Sequence, residues 1–207
     1  MKRISIFLVV LLYSVTGALY AQNNSVLNTL YQNFDTSSVT IEFSYTLEVS
    51  DVNSTGNGTV TYQDGAYLMK GNGLQINCDR TTVWIIDQAG KEVIIETPAQ
   101  GEQSYLDNPA LLLVNLPEVF SVDNVTTSGS FHTYSLSPKV ECGVKSAAVT
   151  IKSQTVPDLS SAVFVLSDGG RLDIKIKSMT FSEKKPLTSF YFDVSLLDSS
   201  WLITDLR

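Results

Sequence analysis

Ile41-Glu42-Phe43-Ser44-Tyr45-Thr46-Leu47-Glu48-Val49 alternates apolar and polar side chains without a break. Successive side chains of a strand point to opposite faces, so this period of two predicts a strand with one buried face. Just upstream the period changes. Val26, Leu27, Leu30, Tyr31 and Phe34 fall at i, i+1, i+4, i+5 and i+8, one face of a helix over 25–35 with Asn24 or Ser25 as N-cap.

Downstream, short apolar runs are separated by turn residues. Gly58 to Tyr62 leads through Asp64-Gly65 to Tyr67–Lys70, and Gly71-Asn72-Gly73 leads to Leu74–Cys78. Thr82–Asp87 is followed by Ala89-Gly90 and Glu92–Glu96. Such spacings predict antiparallel hairpins. A break over 97–118 holds Pro98, Pro109 and Pro117; within it Asp107 or Asn108 can cap a short helix with Pro109 first and Ala110 to Val114 behind. Strands resume at Phe131–Leu136, Ser146–Lys152 and Ala162–Leu166. The Ser167-Asp168-Gly169-Gly170 turn then leads into Arg171–Ile176, and Met179–Phe181, Phe190–Val194 and Trp201–Ile203 complete the set. No repeat, low-complexity tract or linker interrupts them. The expected fold class is α+β: a single antiparallel, strongly curved sheet, with the helices near 25–35 and 107–114 covering one side.

Composition agrees. The 207 residues are 43% hydrophobic and 17% charged, enough apolar chain for one sizeable core and too much for a disordered tail. Lys+Arg 14 against Asp+Glu 21 gives a net charge of −7 without a basic stripe, which excludes the electrostatic footprint of a nucleic-acid binder.

Residues 1–21 have the three-part layout of a secretory signal: Lys2 and Arg3, an apolar stretch from Ile4 to Leu12, then small residues from Ala18 to Ala21. Cleavage after Ala21 leaves Gln22 first and a domain over 22–207. Polar Tyr13, Ser14 and Thr16 argue against an uncleaved anchor. A lipoprotein would need a cysteine at the cleavage point, whereas the first cysteine is Cys78. The expected location is therefore soluble, beyond the inner membrane. Cys78 and Cys142 are compatible with one disulfide in an oxidising compartment or with two buried thiols. The N-x-S/T triplets at Asn23, Asn53, Asn57 and Asn124 matter only in a eukaryotic secretory pathway.

Catalytic motifs are scarce. His132, the single histidine, has no GxSxG elbow beside it, and no HExxH, Walker loop, CxxC or GxGxxG occurs. The stretch from Asp51 opens like a calcium loop but carries Tyr62 at position twelve in place of Glu. An envelope enzyme acting on glycans would need a carboxylate pair, for which Glu102, Glu118 and Asp123 near the central break are the acids to truncate. No metal or cofactor is expected, and no enzymatic activity.

Aromatic and aliphatic side chains are in surplus instead. Phe43, Tyr45, Tyr67, Trp84, Phe120, Phe131, Tyr134, Phe164, Phe181, Phe190, Phe192 and Trp201 read one by one as plain core. As a set, a curved sheet under a helical cover can enclose an apolar cavity for acyl chains, since each buried CH₂ contributes about 0.8 kcal/mol.

The order of these pieces, over about residues 25 to 207, resembles the LolA family of periplasmic carriers of outer-membrane lipoproteins. The helix and the Ile41–Val49 strand look like its opening. Asp79-Arg80-Thr81-Thr82-Val83-Trp84 is similar to its "DG…W" turn, with Arg80 where Gly is usual. Asn108-Pro109-Ala110-Leu111-Leu112-Leu113 looks like its short lid helix, and Tyr134-Ser135-Leu136-Ser137-Pro138 like its "L-x-P" strand end. Ser167-Asp168-Gly169-Gly170 sits where the family has an Asp-x-x-Gly turn, and Phe190-Tyr191-Phe192 through Ile203-Thr204-Asp205 looks like its closing strand. One feature departs: the family's Arg-Pro on the second strand, whose Arg ties the closed lid, has no counterpart in Val60-Thr61-Tyr62-Gln63-Asp64-Gly65.

The resemblance implies an unclosed half β-barrel whose concave apolar face is capped by helices. It implies a monomeric carrier that takes acylated lipoproteins from an inner-membrane ABC transporter and hands them to an outer-membrane acceptor, without covalent chemistry. The alternative is a lipid- or lipoprotein-sensing module of the same fold that transports nothing. Strand alternation together with the motif match nominates Phe43, Tyr45, Leu68, Trp84, Ile86, Leu111, Leu112, Phe120, Tyr134 and Phe164 as cavity residues, and a one-residue register slip would turn each set outward.

Overall fold

The computed structural model describes residues 26–50, 52–100 and 110–207. Helix α1 spans 26–36. Strands β1 (Ser38–Val49), β2 (Val52–Gln63), β3 (Ala66–Gly71), β4 (Leu74–Cys78), β5 (Val83–Asp87) and β6 (Glu92–Glu96) follow, then short helices α2 (Ala110–Val114) and α3 (Leu116–Val119). The second half is β7 (Phe120–Ser128), β8 (Phe131–Pro138), β9 (Val144–Lys152), β10 (Asp158–Leu166), β11 (Arg171–Ser182) and β12 (Leu202–Asp205). The leader, the caps at Asn24, Ser25, Asp107 and Asn108, and Pro109 lie outside the described residues.

All twelve strands form one unclosed sheet, ordered β12-β6-β5-β4-β3-β2-β1-β11-β10-β9-β8-β7. It consists of two meanders, β1 to β6 and β7 to β11, joined where β1 pairs antiparallel with β11. The pairing is antiparallel except at one edge, where β12 runs parallel to β6.

Turn chemistry sets the register of the first meander. Asp64 and Gly65 both have positive φ, 48° and 81°, the two-residue turn that matches strand twist and places Gln63 opposite Ala66. In β2, Gly58 lies opposite Phe43, and a Cβ there would stand 2.6 Å from the ring. The missing side chain is what lets Phe43 fold across the neighbouring strand.

The helix-covered face holds the main core. Leu27, Leu30, Tyr31 and Phe34 of α1 pack there with Val39, Ile41 and Phe43 of β1, and with Tyr134, Val149, Phe164 and Ile174 from the second meander. Leu112, Leu113, Leu116 and Val119 of α2 and α3 join them. The Tyr31 hydroxyl donates to the Leu113 carbonyl at 2.6 Å and so ties α1 to α2.

The opposite face carries a smaller cluster. Trp84, Ile86, Val93 and Ile95 are buried there under Phe192, Val194, Leu197 and Trp201 of the C-terminal segment. Asn77 Nδ2 donates to the Phe190 carbonyl at 3.1 Å, and Gln63 exchanges bonds with both backbone groups of Lys185.

Several elements differ from the sequence expectation. Strand β7 lies where none was expected, because its register shift between Val122 and Asn124 puts its apolar residues out of phase with alternation. Met179–Phe181 is the end of β11 and not a separate strand. The aromatic stretch Phe190–Val194 is not a strand: it runs from the 3₁₀ turn at Leu187–Ser189 into the one at Val194–Leu196, which is capped by Asp193 accepting from Ser195 N. Its carbonyls are met by a side chain, Asn77, instead of a ladder partner.

Candidate functional site

On the helix-covered face, between the β2–β5 region and α2, lies a cavity of about 350 Å³. Tyr67, Ile76, Val83, Ile85 and Leu111 line it with apolar surface, together with Pro98 and Ala99. Its polar lining groups are Tyr62, Asp64, Arg80, Glu96 and Asn115, and Cys78 contributes its thiol.

The hairpin registers explain the wall. Tyr67 pairs with Cys78 and Cys78 with Val83, while Met69 pairs with Ile76 and Ile76 with Ile85. Residues paired in register share a face, so three strands present one continuous apolar surface. The roof is tied down by Tyr62, whose hydroxyl donates to Asn115 Oδ1 at 3.3 Å. Burial pushes the Tyr62 hydroxyl above its ordinary pKa, so it remains a donor at neutral pH. Burial likewise raises the Cys78 thiol, which keeps it in the unreactive protonated form.

The β4–β5 turn carries charge to the cavity. Asp79 Oδ1 accepts from Thr81 N, Thr81 Oγ1 and Thr82 N at 2.9, 2.8 and 2.9 Å, which fixes the turn. Partial burial works to raise the Asp79 pKa, but these bonds outweigh it and the carboxyl sits below its usual value. Arg80 at the turn's apex has φ +86°, a left-handed conformation rare for a side-chain-bearing residue. Its guanidinium lies 3.5 Å from Asp64, whose carboxylate also takes Lys184 at 2.7 Å through both oxygens.

Seven of the ten nominated residues lie on the helix-covered side. Phe43, Leu112, Phe120, Tyr134 and Phe164 are buried in the main core, with Tyr45 and Leu111 packed against it. Of the ten, Leu111 alone lines the cavity. The others pack elsewhere in the main core, Phe43 and Tyr45 from β1, Leu112 from α2, and Phe120, Tyr134 and Phe164 from the second meander, where the Phe120 and Phe164 rings meet tilted at 6.1 Å.

The other three nominated residues lie away from this cavity. Trp84 and Ile86 belong to the opposite-face cluster, and Trp84 packs edge-on against Tyr191 at 5.1 Å. Leu68 lies opposite Asn77, which bonds the C-terminal segment, while its neighbours Tyr67 and Met69 face the main core. Val83-Trp84-Ile85-Ile86 and Tyr67-Leu68-Met69 are apolar on both parities because both faces are covered, so alternation is silent there. The missed cavity residues had a signal nonetheless: the two-residue turn Asn72-Gly73 fixes Tyr67 opposite Cys78.

Cys78 and Cys142 are both buried and not bonded to each other. The His132 ring meets Thr127 Oγ1 at 3.2 Å on the surface. Asp123 accepts from Ser137 Oγ at 2.5 Å and Glu118 is exposed in α3, while Glu102 and Asp51 lie outside the described residues. Among the described residues no group of three His, Cys, Asp or Glu side chains is placed to hold a metal ion, and no helix is long and apolar enough to cross a membrane.

No protein-family model matches the chain, and no curated protein matches it. Solved structures are similar at low identity. An uncharacterized conserved protein from Thermus thermophilus is 9% identical with a TM-score of 0.49, covering 88% of this chain and 98% of that one. A LolA superfamily protein from Nitrosomonas europaea is 11% identical at 0.46, covering 82% and 97%. A putative outer membrane lipoprotein-sorting protein domain from Vibrio parahaemolyticus is 9% identical at 0.45, covering 77% and 92%.

Proposed function

We propose that the chain is a monomeric periplasmic carrier that binds the acyl chains of lipoproteins and moves them from an inner-membrane ABC transporter to an outer-membrane acceptor. The observation that carries this reading is the apolar cavity between the β3–β5 wall and α2, lined by Tyr67, Ile76, Val83, Ile85 and Leu111. An acyl chain leaving water for such a wall gains about 0.8 kcal/mol per CH₂. The secretory layout of residues 1–21 and the order of the motifs support the same compartment and cargo. No cofactor enters, and cargo is held without a covalent step.

At about 350 Å³ the cavity lies near the low end of the range usual for ligand pockets, roughly 300–1,000 Å³. A cargo with several chains therefore needs α2 and α3 to move off the sheet. The bonds to be broken include Tyr31–Leu113, Tyr62–Asn115 and those from Lys139 to the Pro117 and Val119 carbonyls.

The test is release: purified protein lacking residues 1–21 is added to spheroplasts. Acylated lipoproteins appearing in the soluble fraction, bound one-to-one, support the carrier; no release by well-folded protein counts against it.

The missing Arg-Pro in Val60–Gly65 favours a second reading, a lipid- or lipoprotein-sensing module without a transport cycle. Deleting the gene separates the two. Loss of a carrier strands lipoproteins at the inner membrane, and loss of a sensor does not.

A further inference from the structure

We propose that Arg80 is an anion anchor of the cavity, and that the favoured occupant is a single-chain amphiphile with a negatively charged head, carboxylate or phosphate. This rests on the acyl-binding reading and names the head group that goes with the chain.

Three observations carry it. First, Arg80 is the one cation among the described lining residues, beside an apolar wall that suits a hydrocarbon tail. Second, its backbone stands at φ +86°, the largest positive φ among the non-glycine residues described, so an arginine there costs the turn strain that a glycine would not. Third, its present partner is dispensable. The Arg80–Asp64 approach is long, 3.5 Å, and Lys184 already holds both Asp64 oxygens at 2.7 Å. Arg80 can therefore turn to an incoming anion without leaving Asp64 unpaired. The guanidinium fork offers paired donors that match a carboxylate or phosphate, and the Asp79 bonds to Thr81 and Thr82 hold the turn that aims it. Asp64 and Glu96 also line the cavity, so a cationic head is the competing occupant.

The experiment is displacement of a fluorescent fatty-acid probe from the purified protein at neutral pH and low salt. Four competitors are compared: dodecanoate, dodecanoyl lysophosphatidylglycerol, the neutral monododecanoyl glycerol, and dodecyltrimethylammonium. At least one anion is expected to compete about tenfold better than the neutral ester, the order of magnitude of a charge-assisted hydrogen bond. Which anion does so tells a fatty acid from a lysophospholipid. Arg80→Gly relieves the backbone and should melt no lower than the parent, yet lose that preference while still binding the neutral ester. Equal competition by anions and ester, tighter binding of the ammonium, or a preference surviving in Arg80→Gly overturns the anchor alone. Failure of every amphiphile to bind overturns the anchor and the acyl-binding reading together.

Discussion

Tyr31 and Leu113 stand 82 residues apart in sequence, and the hydroxyl of one donates to the carbonyl of the other at 2.6 Å inside the core. The bond sets the distance between α1 and the helix that roofs the cavity. Tyr31→Phe leaves the Leu113 carbonyl buried without its donor and should cost about 1–3 kcal/mol in urea unfolding. It should also speed exchange of a bound acyl probe, because α2 then loses its hydrogen bond to α1.

The same hydroxyl predicts an alkaline limit. Burial, reinforced by the Glu118 charge, raises the Tyr31 pKa well above its ordinary value near 10. A folded value above the unfolded one gives a contribution that is complete below about pH 10 and is lost as pH rises toward the folded value. Unfolding free energy measured between pH 9 and about 11 should fall for the parent and fall less steeply for Tyr31→Phe.

Trp84 tests the two-faced character of the sheet. Trp84→Ala should destabilise by about 3–5 kcal/mol and expose the chain beyond Pro186 to limited proteolysis, since its ring packs on Tyr191. Acyl-probe affinity of the folded fraction should stay within about threefold of the parent, because Trp84 does not reach the cavity. A large affinity loss would return Trp84 to the cavity.

Gly58 tests the ring that crosses it. Gly58→Ala places a methyl 2.6 Å from Phe43 and should cost about 1–3 kcal/mol. Adding Phe43→Leu to it should restore part of that loss, a non-additivity read from a double-mutant cycle in urea.

Filling the cavity separates binding from folding. Ile85→Phe inserts volume into the wall opposite Leu111. Acyl-probe affinity should fall about tenfold or more while the melting temperature stays level or rises.

Elements with one covered face were legible in sequence. Ile41–Val49 alternates and became β1, and the 26–36 helix carries its apolar stripe onto the main core. Asp64-Gly65 and Asn72-Gly73 named their turns through chemistry that admits few alternatives. Legibility ended where both faces are covered. Val83 and Trp84 are equally apolar, and only the C-terminal segment, folded back over the far face, decides which of them sees the cavity. That segment was itself unreadable, because Phe190-Tyr191-Phe192 has strand-like composition but makes its key bonds to the Asn77 side chain. Arg80 was visible as a residue out of place in a glycine position; that its guanidinium reaches Asp64 follows from the pairing of β3 with β4, the two strands between them.

The seam between β1 and β11 has a kinetic meaning. Val39 pairs with Phe181 and Glu48 with Arg171, so one whole side of an early strand waits for residues made more than 120 positions later. Each meander can zip locally, but closing the seam joins distant stretches of chain and is the slow event expected of such a topology. Until then β1 offers an open edge to any extended neighbour. A polypeptide emerging amino-terminus first into a crowded compartment would spend that interval exposed to self-association, and its safest course is to complete β11 before β1 finds another copy of itself.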